Sequence, residues 1–132
     1  MIDWIRNAFT YAPGASNAKT TAADTFASRA GVCRDYSHVL ISFCRAVGIP
    51  ARMVSAYAPG LYPPDFHAVM DVWLDGDWHI VDPTGMAPPE KLVRIICGRD
   101  AADISFMTIF GEAELISQSV SARDEKAVEY AA

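Results

Sequence analysis

The sequence predicts an α+β fold on three observations. Apolar residues recur at three- and four-residue steps from Val32 to Val47, the pattern of a helix that buries one face. Residues 66–74 and 77–82 are rich in β-branched and aromatic side chains and flank Asp75-Gly76, which reads as a β-hairpin with a two-residue turn. Shorter helical patterns precede both.

The first of these covers residues 2–9, with Trp4, Ile5 and Phe9 as its apolar stripe, and Tyr11-Ala12-Pro13-Gly14 then turns the chain. A second helix is expected over 21–29 with Ala22, Phe26 and Ala27 inward. Gly31 gives the long helix a flexible entry, and Gly48 followed by Pro50 ends it. Beyond the hairpin, residues 92–96 read as a strand ending at Cys97, and 104–110 and 115–120 as two more, the last alternating in polarity. Residues 122–132 form a polar tail, and no repeat or low-complexity tract is present.

Chemistry centres on Cys33. A thiol attacks only as thiolate, and a free cysteine with a pKa of about 8.5 is mostly protonated at neutral pH. Cys33 falls in the first turn of the long helix, where unpaired N–H groups and the positive end of the dipole favour an anion and could hold an oxyanion. An isolated cysteine is more often a small buried hydrophobe. Two further motifs outweigh that reading here.

Of the three histidines, His38 lies five residues on and so about 140° around the helix from Cys33, which excludes it as a partner. In the hairpin, Leu74 pairs with Asp77, Trp73 with Trp78, Asp71 with Ile80 and Val69 with Asp82. His67 therefore shares a face with Asp82, and such diagonal neighbours lie about 7 Å apart at the backbone. His79 falls on the opposite face. The register thus selects His67 as base and Asp82 as the carboxylate that orients it. Asp82-Pro83 also reads as a turn opener, and Asp71 and Asp35 are competing carboxylates that rank lower.

These residues resemble a known family. Gly31-Val32-Cys33-Arg34-Asp35-Tyr36-Ser37-His38, Gly48-Ile49-Pro50-Ala51-Arg52-Met53-Val54-Ser55, His67-Ala68 and the run from Trp78 to Thr84 look like the core of the transglutaminase-like superfamily, in the order Cys, His, Asp. Gly98-Arg99-Asp100-Ala101-Ala102-Asp103 is similar to the segment after that core in bacterial members. The resemblance spans residues 1–121, read as one catalytic domain. It implies a papain-like arrangement in which N-terminal helices and the helix bearing the nucleophile pack on an antiparallel sheet. It also implies Cys33 as nucleophile, His67 as general base and acid, and Asp82 as orienting carboxylate. An upstream aromatic or amide side chain would add an oxyanion donor; Tyr11 and Trp4 are the candidates, with core packing the alternative for Trp4. Arg34 and Tyr62 complete the candidate substrate contacts. Tyr62 lies in the loop over 58–65, which either walls a cleft or serves as a rigid proline-rich connector. Relatives often carry a β-sandwich domain ahead of the core, whereas here the core begins almost at Met1, which suggests a short form or completion by a partner.

Composition bounds the reading. The 132 residues suit one domain, and 52% hydrophobic with 20% charged residues excludes a disordered chain. A net charge of −5 and no Lys/Arg cluster argue against nucleic acid. No apolar run approaches the roughly 20 residues of a membrane span, and no signal peptide is legible. Three cysteines without a C-x-x-C pair fit reduced thiols, hence the cytoplasm, and Cys44 and Cys97 read as packing residues. The cysteine and histidine spacings match no zinc pattern, and neither metal nor other cofactor is expected. The expectation is a cysteine-dependent protease or amidase, or an acyl transferase, on a peptide or protein amide substrate. Hydrolysis is favoured because so small a chain has little material for a tunnel that excludes water. The alternative is a silent binding module of the same fold, as a homo-oligomer or lacking an N-terminal domain.

Overall fold

The computed structural model describes residues 1–125, so residues 126–132 of the expected polar tail lie outside the described residues. Its elements run α1 (Ile2–Ala8), β1 (Thr10–Tyr11), α2 (Ala22–Ser28), β2 (Ala30–Gly31), α3 (Cys33–Ala46), β3 (Ala51–Tyr57), β4 (Phe66–Leu74), β5 (Asp77–Val81) and β6 (Val93–Gly98). The last four form an antiparallel sheet in the order β5-β4-β3-β6. Helix α3 lies on one face of it: Tyr36, Val39, Leu40 and Cys44 meet Met53, Met70 and Val72, with Ile5 and Phe9 of the α1 segment closing the core. A smaller cluster of Val54, Ala56 and Val69 forms separately, against Ile80 and Leu92.

Local sequence explains most boundaries. Thr21 and Asp24 cap α2 reciprocally: the Thr21 hydroxyl accepts from the Asp24 N–H at 3.2 Å, and the Asp24 carboxylate accepts from the Thr21 N–H at 2.9 Å. Arg29, at φ 60°, ends that helix in the left-handed conformation. At the start of α3, Val32 has no side-chain acceptor, so the buried Asp35 carboxylate takes the Val32 N–H at 2.8 Å. The β4–β5 hairpin turns on Asp75 and Gly76, at φ 52° and 83°, and its ladder pairs Leu74 with Asp77, Trp73 with Trp78 and Asp71 with Ile80 as the sequence predicts.

Several expectations change. Thr25, not Phe26 or Ala27, is the buried residue of α2; Phe26 is 43% exposed and stacks on Trp4, with ring centroids 5.9 Å apart. Gly31 is needed for space rather than flexibility, because a Cβ there would lie 2.6 Å from Asp35 Cβ. Strand β3 has no counterpart among the elements read from the sequence. Cys97 lies within the exposed strand β6 and does not pack in the core. The strands expected at 104–110 and 115–120 are absent: Ala101–Ile104 form a 3₁₀ turn, and 105–120 have no regular structure. Alternation makes a strand only where a neighbouring ladder accepts it, and here Phe110 and Ile116 stand 96% and 95% exposed. Among the described residues no helix is long and apolar enough to cross a membrane.

Candidate functional site

Three elements converge on Cys33, the first residue of α3. The parallel β1–β2 bridge pairs Tyr11 with Gly31, which delivers the Tyr11 ring to the start of the helix. Burial, and then the charge of the Cys33 thiol, push the Tyr11 phenol up to about 12, while the Cys33 backbone N–H bonds to its oxygen and opposes the rise. The hydroxyl therefore stays protonated at any neutral pH.

His67 of β4 is buried, as is Asp82 just past the end of β5. The imidazole Nε2 and the carboxylate Oδ2 are 2.8 Å apart. Burial pulls the His67 pKa down, but the hydrogen bonds to Asp82 and to Cys33 outweigh it and raise the value to about 9. With Nε2 committed to Asp82, it is Nδ1 that faces the thiol. Asp82 is opposed by its own burial, yet stays below the usual carboxylate range because His67, Thr84 and the Ala87 N–H all bond to it.

The two readings of Asp82 coexist on separate oxygens. Oδ1 accepts the Thr84 N–H at 3.0 Å and the Thr84 hydroxyl at 2.7 Å, an Asx turn around Pro83. Oδ2 accepts the Ala87 N–H at 3.0 Å and meets His67. The turn thereby aims the second oxygen at the imidazole. An aspartate followed two residues later by threonine is a legible sign of this turn, and the sequence reading did not use it.

Arg6 carried no such sign. Its guanidinium donates to the Asp82 carbonyl at 2.8 Å and the Pro83 carbonyl at 3.2 Å, 76 and 77 positions along the chain, and so fixes the backbone beneath the carboxylate.

The remaining candidates fall elsewhere or serve structure. Asp71 is fully buried and accepts from Arg52 at 2.9 Å and Arg94 at 2.7 Å, so it is not the partner of His67. Asp35 holds Val32, Ser16 and Arg34. Arg34 lies beside Cys33, but its guanidinium is turned to the Asn17 carbonyl and the Asp35 carboxylate. Tyr62 is 89% exposed and lines a separate cavity with Val120 and Ala122. Trp4 packs among Phe9, Phe26 and Phe43. His38 accepts the Ala101 N–H at 3.4 Å, and His79 meets the Leu74 carbonyl.

Comparison with known proteins places this arrangement. A crystal structure from Cytophaga hutchinsonii, provisionally assigned as a cysteine protease, superposes with a TM-score of 0.82 at 49% identity, over 84% of this chain and 38% of that one. An uncharacterized Mycobacterium leprae protein is 30% identical over 77% of this chain and 39% of its own length. The protein-glutamine gamma-glutamyltransferase of Pseudomonas aeruginosa is 33% identical over 64% of this chain and 14% of its own. The chain thus spans well under half the length of each. The sequence profile of the transglutaminase-like superfamily matches residues 1–83, the stretch that holds Cys33, His67 and Asp82. This chain belongs to the transglutaminase-like superfamily.

Proposed function

We propose that residues 1–121 form the catalytic core of a cysteine-nucleophile hydrolase that cleaves peptide or carboxamide bonds through a thioester. The observation that carries this is the buried His67 imidazole, held by Asp82 at 2.8 Å on one nitrogen and facing Cys33 with the other. With its pKa raised to about 9, His67 holds the thiol proton as imidazolium at neutral pH, and the Cys33 thiolate attacks the carbonyl carbon. The protonated Tyr11 hydroxyl beside Cys33 is the oxyanion donor, and the Cys33 N–H, which bonds to its oxygen, holds it there. His67 then protonates the leaving amine as the C–N bond breaks, and a thioester remains. Water, giving its proton to His67, releases the acid and restores the thiolate. Asp82 holds the ring in the tautomer this sequence needs.

Hydrolysis is preferred over transfer to an amine because Cys33 is half-buried rather than enclosed, which leaves water a path to the thioester. Transamidation is the second reading, favoured by the likeness to the Pseudomonas aeruginosa transferase. The reaction needs Cys33 reduced, and this supports a cytoplasmic setting.

The test is the pH dependence of iodoacetamide alkylation, with the modified cysteine located by mass spectrometry, on wild type and His67→Ala. Labelling of Cys33 that is fast below pH 7 and slow in the variant is the expected result. Labelling of Cys33 no faster than that of Cys97, in both proteins, would leave a catalytically silent module. Release of acid against incorporation of a labelled amine then separates hydrolysis from transfer.

A further inference from the structure

A cavity of about 180 Å³ opens beside Cys33, lined almost wholly by hydrocarbon. Ala68 of β4 and Ser55 of β3 line it from the sheet, and Ile104 and Phe106 line it from the segment after β6. Phe106 is held in place by stacking on Phe66, with centroids 5.7 Å apart and planes 22° from parallel. The one charged group at its edge, Arg34, turns its Nη2 to Asn17 and Asp35, and its Nε is buried without a partner among the described residues. A carboxylate or carboxamide entering this space would surrender water for a lining that exposes almost no polar surface, since the Arg34 Nε is itself buried. An aliphatic side chain loses nothing and is removed from water.

We propose that this cavity receives an apolar side chain of the acyl donor, adjacent to the carbonyl that Cys33 attacks, and that Phe106 and Ile104 set the preference. The proposal rests on the nucleophile reading of Cys33. At about 30 Å³ per water-sized group, the space holds roughly six such groups, enough for a leucine or valine side chain. Specificity then comes from the irregular segment after β6, while the sheet and α3 supply the reacting groups.

The experiment compares three irreversible probes on the intact chain: acetyl-leucyl, acetyl-glutaminyl and acetyl-glutamyl acyloxymethyl ketones. Cys33 sulfur displaces the carboxylate leaving group of each, and rates are normalised to iodoacetamide on the same protein. The leucyl probe is expected to react with Cys33 at least about tenfold faster than either polar probe, in the range a hydrophobic pocket discriminates. Phe106 is 58% exposed, so Phe106→Ala removes a wall without threatening the fold, and it should narrow the ratio to about threefold or less. Phe106→Glu should raise the rate of a fourth, acetyl-lysyl probe relative to the leucyl one. Equal rates for all three probes, with Cys33 still reactive to iodoacetamide, overturn this inference and leave the nucleophile reading standing. An unchanged leucyl preference in both Phe106 variants removes Phe106 from the pocket. A Cys33 inert to iodoacetamide fells both readings.

Discussion

Asp82→Asn changes one atom and should disable His67 in two ways. The amide nitrogen that replaces Oδ2 is a donor, and it would face the Ala87 N–H, another donor, and His67 Nε2. Nε2 must then accept, which puts the imidazole proton on Nδ1, toward Cys33, so that the ring cannot take the thiol proton. The energetic consequence follows from the His67 pKa. Its rise from 6.5 to about 9, at about 1.4 kcal/mol per unit, is worth roughly 3 kcal/mol. Because the folded value is raised, this stabilisation is fully present below pH 6.5 and is lost as pH rises through about 9. The lowered Asp82 value is the same contact seen from its partner: its contribution is present above the ordinary carboxylate pKa of about 3.9 and is lost as pH falls further. The orphaned Ala87 N–H adds about 1–3 kcal/mol at every pH. Cys33 also bonds to the ring and raises its pKa, so the variant loses at most the roughly 3 kcal/mol of that rise: it should be less stable than wild type by about 1–3 kcal/mol at pH 10 and by up to about 6 kcal/mol at pH 6. Urea unfolding at the two values measures this, since groups that titrate alike in both proteins cancel. Proton NMR of the His67 ring supplies the independent reading: a wild-type midpoint near 9, and a lower midpoint in the variant. A stability difference that does not vary with pH, or a wild-type midpoint below 7, would refute the reasoning. With total stabilities of about 5–15 kcal/mol, the variant is marginal at pH 6. Should it not fold there, the wild-type titration decides alone.

Asp71→Asn breaks the pairs with Arg52 and Arg94 and should cost about 1–3 kcal/mol, less than a fully buried pair because both arginines reach solvent. The His67 midpoint should stay near 9, and a large drop would mean Asp71 is coupled to the site after all. Gly31→Ala drives a Cβ to 2.6 Å from Asp35 Cβ and 2.7 Å from its Oδ2. The expected loss is about 1–3 kcal/mol from overpacking, read as a lower urea midpoint at constant m-value; an unchanged midpoint would show that the α3 cap yields freely. Tyr11→Phe removes the hydroxyl beside Cys33 and should lower kcat on a fluorogenic leucyl-peptide amide about a hundredfold with KM nearly unchanged. A change confined to KM would make Tyr11 a binding residue instead.

What the sequence alone determined is what short-range periodicity encodes. The apolar steps of 32–47 placed α3 to within a residue at each end and put Cys33 in its first turn. The parity of the hairpin brought His67 and Asp82 together, because a two-residue turn leaves one register open. These are relations among residues within one element or across one tight turn. What the tertiary structure decided lies at long sequence separation. Tyr11 reaches Cys33 only because β1 pairs with β2, and Arg6 reaches Asp82 only because α1, packed on α3, is held opposite the end of β5. The strand pattern at 104–120 has no ladder to join, so Phe106 instead lines a cavity beside the thiol. Periodicity fixes which face of an element is apolar. Which partner covers that face is settled when the chain closes on itself, and the donors around Asp82 and the wall beside Cys33 are products of that closure.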